Sequence, residues 1–119
     1  MAIESRIKIV GQVISGPEGA IDINTSEFVN SDAPLATTQV NLQAGDNTIL
    51  VPTKSRGVIM FFDPASTQVK KIKGAGGDTG VQINKTGIHY LQFDAAPPAS
   101  FIINSVALDG ALLSRFVFV

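Results

Sequence analysis

His89 is the only histidine in a chain of 119 residues, and acid–base or hydrolytic chemistry near neutral pH would turn on it first. It falls in the stretch Ile88-His-Tyr-Leu-Gln-Phe93, at the same strand parity as Leu91 and Phe93. A catalytic imidazole needs a nucleophile or carboxylate held beside it. No spacing in this sequence supplies one, so His89 reads as a packed or hydrogen-bonded strand residue. Gly74-Ala-Gly-Gly-Asp-Thr-Gly80 has the glycine density of a phosphate-cradling loop. Such a loop ends in Gly-Lys-Ser/Thr and opens a helix whose N-terminus holds the anion. Here Val81-Gln-Ile-Asn follows, which reads as a strand, so the glycines are expected to serve a backbone crossing between sheets.

The remaining polar residues carry weaker signals. The acidic residues number 10 and are scattered singly. Asp22, Asp32, Asp46, Asp63, Asp78, Asp94 and Asp109 lie almost all at turns, where aspartate bonds nearby backbone. Asp46-Asn47 and Asp63 are the places where calcium could find a ligand, but EF-hand spacing is absent. Lys70, Lys71 and Lys73 form a small basic patch, joined by Lys54 and Arg56 if the chain folds back on itself there. Lysines of this kind commonly protect a strand edge, and the sharper reading is docking onto an acidic partner. Asn24-Thr-Ser and Asn84-Lys-Thr match the glycosylation pattern, which occurs often by chance. No catalytic residue, cofactor or metal site is expected, and the chain reads as a non-enzyme.

Bulk properties narrow the partners. Net charge is -1 and the charged fraction is 16%, so the basic footprint of a nucleic-acid binder is missing. A protein with so few charges tends to present neutral or apolar surface to a partner, and a homo-oligomer is expected. No window approaches the roughly 20 apolar residues of a spanning helix, so no membrane is expected. The absence of cysteine excludes disulfides and thiolate metal sites. The N-terminus shows alternating charge rather than a signal peptide, so synthesis in the cytoplasm is expected.

The elements that would position these residues are strands. One domain over 1–119 is expected from length. Gly57-Val-Ile-Met-Phe-Phe-Asp-Pro64 is the densest apolar run, short and rich in β-branched and aromatic residues, hence a strand buried on both faces. Ile3–Ile14 alternates, with Ile7, Ile9 and Val13 opposite Glu4, Arg6, Lys8 and Gln12, and reads as a long half-exposed strand. Ala20–Asn24 is a short strand after the Ser15–Gly19 loop, and Phe28 is expected to anchor the loop that follows. Ala36–Leu42 and Thr48–Val51 are expected to pair across a turn, with Pro52 ending the second. Asp63-Pro-Ala-Ser66 and Asn84-Lys-Thr-Gly87 are expected to fold hairpins. Ser100–Val106 and Leu112–Val119 are further strands, and Asp109-Gly110 between them carries the signal of a two-residue type I′ hairpin. Helical periodicity is nowhere sustained. Nine to eleven short strands predict an all-β antiparallel sandwich or jelly roll.

Asn47-Thr-Ile-Leu-Val-Pro52, Gly57–Pro64 and Val69-Lys-Lys-Ile-Lys-Gly-Ala-Gly-Gly-Asp-Thr-Gly-Val-Gln-Ile83 resemble small structural proteins of tailed-phage virions. The resemblance covers roughly Asn47 to Phe93 and is one of strand spacing around the Gly-Asp-Thr-Gly loop. It implies a compact all-β protein of capsid or tail, located in the virion, with other virion proteins as partners and no catalytic residues. The alternative is a carbohydrate- or receptor-binding β-sandwich that takes a glycan. Phe116, Val117, Phe118 and Val119 are apolar on both strand faces at a chain end. A terminal strand is commonly an edge strand, so these four residues, with Lys70, Lys71 and Lys73, are the candidate interface.

Overall fold

The computed structural model describes residues 3–8, 10–15, 19–24, 27–94 and 96–119, with 10–15 and 19–24 described by backbone alone. The strands are β1 (Ile3–Ile7), β2 (Val10–Ser15), β3 (Gly19–Asn24), β4 (Phe28–Ala33), β5 (Ala36–Val40), β6 (Gly45–Leu50), β7 (Gly57–Phe62), β8 (Lys70–Lys73), β9 (Val81–Ile83), β10 (Gly87–Gln92), β11 (Ser100–Ser105) and β12 (Ser114–Phe118). Every pairing is antiparallel. Two four-stranded sheets run in the orders β10-β7-β12-β5 and β6-β11-β8-β9. Along β5 to β12 the chain passes repeatedly between the two sheets and pairs β8 with β9 within one of them. This is the eight-stranded wrap of a jelly roll.

The wrap follows from alternation. Val58, Met60 and Phe62 of β7, Phe101 and Ile103 of β11, and Phe116 and Phe118 of β12 point inward at period two and are buried. With Leu42, Ile49 and Phe93 they fill the space between the sheets. Phe116 joins the layers, edge-on to Phe62 at 6.4 Å in its own sheet and to Phe101 at 6.1 Å in the facing one.

The fold class is the expected one, but five connections differ from expectation. Asp63–Ser66, Asn84–Gly87 and Asp109–Gly110 do not close hairpins, because the strands on either side lie in different sheets. The glycine loop 74–80 is the connection that does stay in one sheet, joining β8 to β9 with Ile72 opposite Val81. Likewise β6 pairs with β11, Ile49 facing Phe101, and not with β5. A tight turn reverses the chain equally well within a sheet or across to the facing one. Burial of the alternating faces decides which, and that is a tertiary matter. At Asp109 the left-handed backbone is confined to Gly110, at φ 69°, and Leu112 N donates to Asp109 O at 3.3 Å.

Among the described residues, strands β1 to β4 pair with one another and with no strand of the two four-stranded sheets. β1 pairs with β4, bringing Ile7 opposite Phe28, and β2 pairs with β3, bringing Val13 opposite Ile21. Together they make a two-stranded hairpin arm. Its base is fastened to the segment before β7: Asn30 Nδ2 donates to Lys54 O at 3.0 Å, Lys54 and Asp32 pair at 2.9 Å, and the Arg56 guanidinium lies 5.4 Å over the Phe28 ring. No strand of the sandwich packs extensively on β2 or β3 among the described residues. The Cα radius of gyration is 15.9 Å, against about 13–14 Å for a compact chain of this length.

Candidate functional site

The C-terminal residues are not an edge. β12 lies between β7 and β5, with Phe116 opposite both Met60 and Thr38 and Val117 opposite both Ile59 and Thr37. Phe116, Phe118 and Val119 are buried and Val117 is half-buried. Val119 N donates to Gly57 O at 2.9 Å, and Val119 O accepts from Arg56 N at 2.7 Å and Gly57 N at 3.2 Å. The expectation that this strand is free to pair with another chain is therefore corrected. Its all-apolar character comes from a central position, with one face in the core and the other in a sheet surface that is itself largely apolar.

The lysine patch dissolves in a similar way. Lys70 is 0% exposed and its ammonium pairs with the Asp109 carboxylate at 3.0 Å, itself 3% exposed. It also donates to Ser66 Oγ at 2.5 Å, to Gln68 O at 3.2 Å and to Lys85 O at 3.3 Å, and it lies 5.2 Å over the Phe62 ring. Ser66 Oγ in turn donates a hydrogen bond to Asp109 Oδ1 at 2.9 Å. A serine next to a lysine invites a nucleophilic reading. Here the hydroxyl proton is committed to Asp109 and both side chains are closed off from any substrate, so the cluster is a clamp between two crossing loops. Lys73 is half-buried and pairs with Asp46 at 3.1 Å. Only Lys71, half-buried, keeps a patch-like position. Lys54 and Arg56 turn to the arm and do not join it.

His89 Nε2 contacts Asn84 O at 3.1 Å and Thr86 O at 3.3 Å. Both are acceptors, so Nε2 carries the proton, and the ring packs 5.3 Å from Phe62. In the glycine loop Asp78 Oδ2 accepts from Ala75 N at 2.7 Å, closing the turn on itself. Asp46 accepts from Asn104 Nδ2 at 2.7 Å, and that bond together with the one from Lys73 holds its carboxyl below the usual carboxylate range. Asp63 Oδ1 is occupied by Ala65 N at 2.8 Å. Among the described residues no group of three or more His, Cys, Asp or Glu side chains is placed to hold a metal.

What remains open is the outer face of the β10-β7-β12-β5 sheet. The registers set out two rows across its four strands, Ile88–Phe61–Arg115–Gln39 and Tyr90–Ile59–Val117–Thr37. Each row carries more apolar surface than the outward face of a solvated sheet normally does. The second row lies toward the arm's base. There the Tyr90 hydroxyl is buried without a partner, and burial pushes its pKa up, against the pull of Arg56. The first row borders a depression of about 490 Å³ lined by apolar Phe61, Phe62, Pro64, Ile88 and Leu113 and by polar Gln39, Asp63 and Arg115. Ile88 is 70% and Leu113 52% exposed. Arg115 lies flat over Phe61 at 4.7 Å.

Fold and site thus define a jelly-roll sandwich with a projecting β-hairpin arm and an apolar sheet face, in which the interior polar residues hold loops together. No protein family, no curated protein and no solved structure matches this chain.

Proposed function

We propose that this chain is a non-enzymatic structural protein of a tailed-phage particle that works through repeated contacts with copies of itself and with other virion proteins. The hairpin arm carries the reading. A two-stranded ribbon in water is marginal at best, and no strand of the sandwich packs extensively on β2 or β3 among the described residues. A neighbouring molecule is the natural source of the missing cover. The charged fraction of 16% adds to this, since little charge repulsion keeps copies apart. Jelly rolls build both virus shells and lectins, so the fold does not choose between assembly and sugar binding; the arm favours assembly.

Sedimentation velocity over a range of concentrations is the test, on the full chain and on the full chain carrying Val13→Asp and Ile23→Asp. The full chain should associate, and the variant should run as a monomer with an unchanged circular dichroism spectrum. Mass spectrometry of banded tailed-phage particles from the host that carries this sequence should find the chain. A full-length chain that stays monomeric and is missing from such particles overturns the proposal. Carbohydrate binding, with the depression beside Phe61 as its place, would then replace it.

A further inference from the structure

We infer that the outer face of the β10-β7-β12-β5 sheet receives the β2–β3 ribbon of a second copy of this chain, in the depression between Ile88, Phe61, Leu113 and Arg115. The inference rests on the assembly reading above and names the surfaces that meet.

Donor and acceptor fit in chemistry. Six residue pairs, from Val10↔Asn24 to Ser15↔Gly19, make up the ribbon. By the pleat, positions 11, 13, 15, 19, 21 and 23 share one face, and in sequence these are Gly, Val, Ser, Gly, Ile and Ile, without a charge. The depression takes its apolar surface from Ile88, Phe61, Phe62, Pro64 and Leu113, with Arg115, Gln39 and Asp63 as its polar members. The Arg115 guanidinium has no carboxylate within ion-pair distance among the described residues, and it spreads its planar face on Phe61. The uncharged face of the ribbon can lie across the apolar part of this surface while the Arg115 guanidinium keeps its outer edge in water and the Asp63 carboxylate keeps its bond from Ala65 N.

The two surfaces also fit in size and placement. A ribbon of six pairs is about 20 Å long, close to the width of a four-stranded sheet at about 4.8 Å per strand. The ribbon's face measures about 20 by 10 Å, so a single contact is small against the roughly 1,600 Å² of an ordinary stable interface, and reciprocal exchange of two arms doubles it. Within one molecule the arm's base is tied beside Lys54 and Arg56, at the Gly57 end of β7, while the depression lies at the Phe62 end. Among the described residues the ribbon makes no extensive contact with its own sandwich. Donor and acceptor are thus different patches on each chain, and a two-fold exchange or a closed ring satisfies both.

The chain contains no cysteine, which makes disulfide trapping clean. Ile21→Cys and Leu113→Cys are prepared as separate full-length proteins, mixed at associating concentration and oxidised. Ile21→Cys mixed with Thr48→Cys, on the exposed side of the other sheet, is the control. The expected result is a mixed disulfide dimer from the first pair and not from the control. Ile88→Asp should weaken association at least tenfold while leaving the circular dichroism spectrum unchanged, since Ile88 is 70% exposed. A chain that does not associate at all refutes this inference and the assembly reading together. A chain that associates without the Ile21–Leu113 cross-link, and equally well with Ile88→Asp, refutes the docking surface alone. A monomer that binds an immobilised glycan, and loses it on Arg115→Gln, assigns the depression to sugar and overturns the inference.

Discussion

Replacing one member of the Lys70–Asp109 pair should unfold this protein more readily than almost any other single polar change. In Lys70→Met the Asp109 carboxylate stays 3% exposed with the Ser66 hydroxyl as its side-chain partner. In Asp109→Asn the ammonium stays 0% exposed and retains only neutral acceptors and the Phe62 face. Breaking a buried pair from one side costs about 3–5 kcal/mol, whereas removing both charges together is often neutral. Asp109→Asn should lie near the lower figure, because the amide keeps the bond to Ser66. With an unfolding entropy of about 2.1 cal/mol/K per residue, a chain of this length loses about 4 °C of melting temperature per kcal/mol, so each single variant should melt about 12–20 °C lower. The double variant Lys70→Met/Asp109→Asn should recover most of that loss, with a coupling energy of about 2 kcal/mol or more. Calorimetry or thermal circular dichroism on the four proteins completes the cycle. Single variants that melt within about 3 °C of the parent would show that water reaches the pair, and the clamp would have to be abandoned.

Three further outcomes follow from named contacts. At Gly80, with φ 80°, an added Cβ would stand 2.8 Å from Lys73 Cγ and 3.0 Å from Ile72 O; Gly80→Ala should therefore cost about 1–3 kcal/mol in denaturant unfolding, and an unchanged midpoint would contradict the close approach of Gly80 to β8. Deleting Phe116–Val119 should abolish the fold itself, since it withdraws the middle of a sheet and two core phenylalanines; loss of the cooperative transition is expected, and a folded truncated monomer would argue that β12 is not central. Asp46, held below its ordinary pKa by Asn104 and Lys73, binds its proton less readily folded than unfolded, so its contribution is present above the unfolded value near 4 and is lost as pH falls through the folded value. Asp46→Asn should flatten the acid limb of the stability curve, and an identical limb in parent and variant would exclude Asp46 as a contributor.

Much of the strand map was legible from residues alone. Period-two alternation marks Gly57–Phe62, Ser100–Ser105 and Ser114–Phe118 because the pleat sends neighbours to opposite faces whatever the fold. Chain reversals were legible too, since Asp63-Pro64, Gly74–Gly80 and Asp109-Gly110 are local chemistry. Lys70 carried a readable signal that charge obscured: it shares the parity of Ile72, and inward parity is what places its ammonium in the core beside Asp109. The arm was half legible, as two strands flanking the Ser15–Gly19 loop.

Partnership was not legible. Nothing in Phe116-Val-Phe-Val119 distinguishes an exposed terminal edge from a central strand, because apolar residues on both faces suit either a neighbour's cover or the molecule's own. Nor does a turn residue say whether the chain folds back beside itself or arches to the opposite sheet. Those choices depend on which distant faces meet to exclude water. The free energy of that burial belongs to pairs such as Ile49–Phe101 and Phe62–Phe116, far apart in the chain and brought together only by the closed wrap. Strand positions are determined residue by residue, while their order, the clamp on Lys70 and the isolation of the arm are decided where the two sheets close on each other.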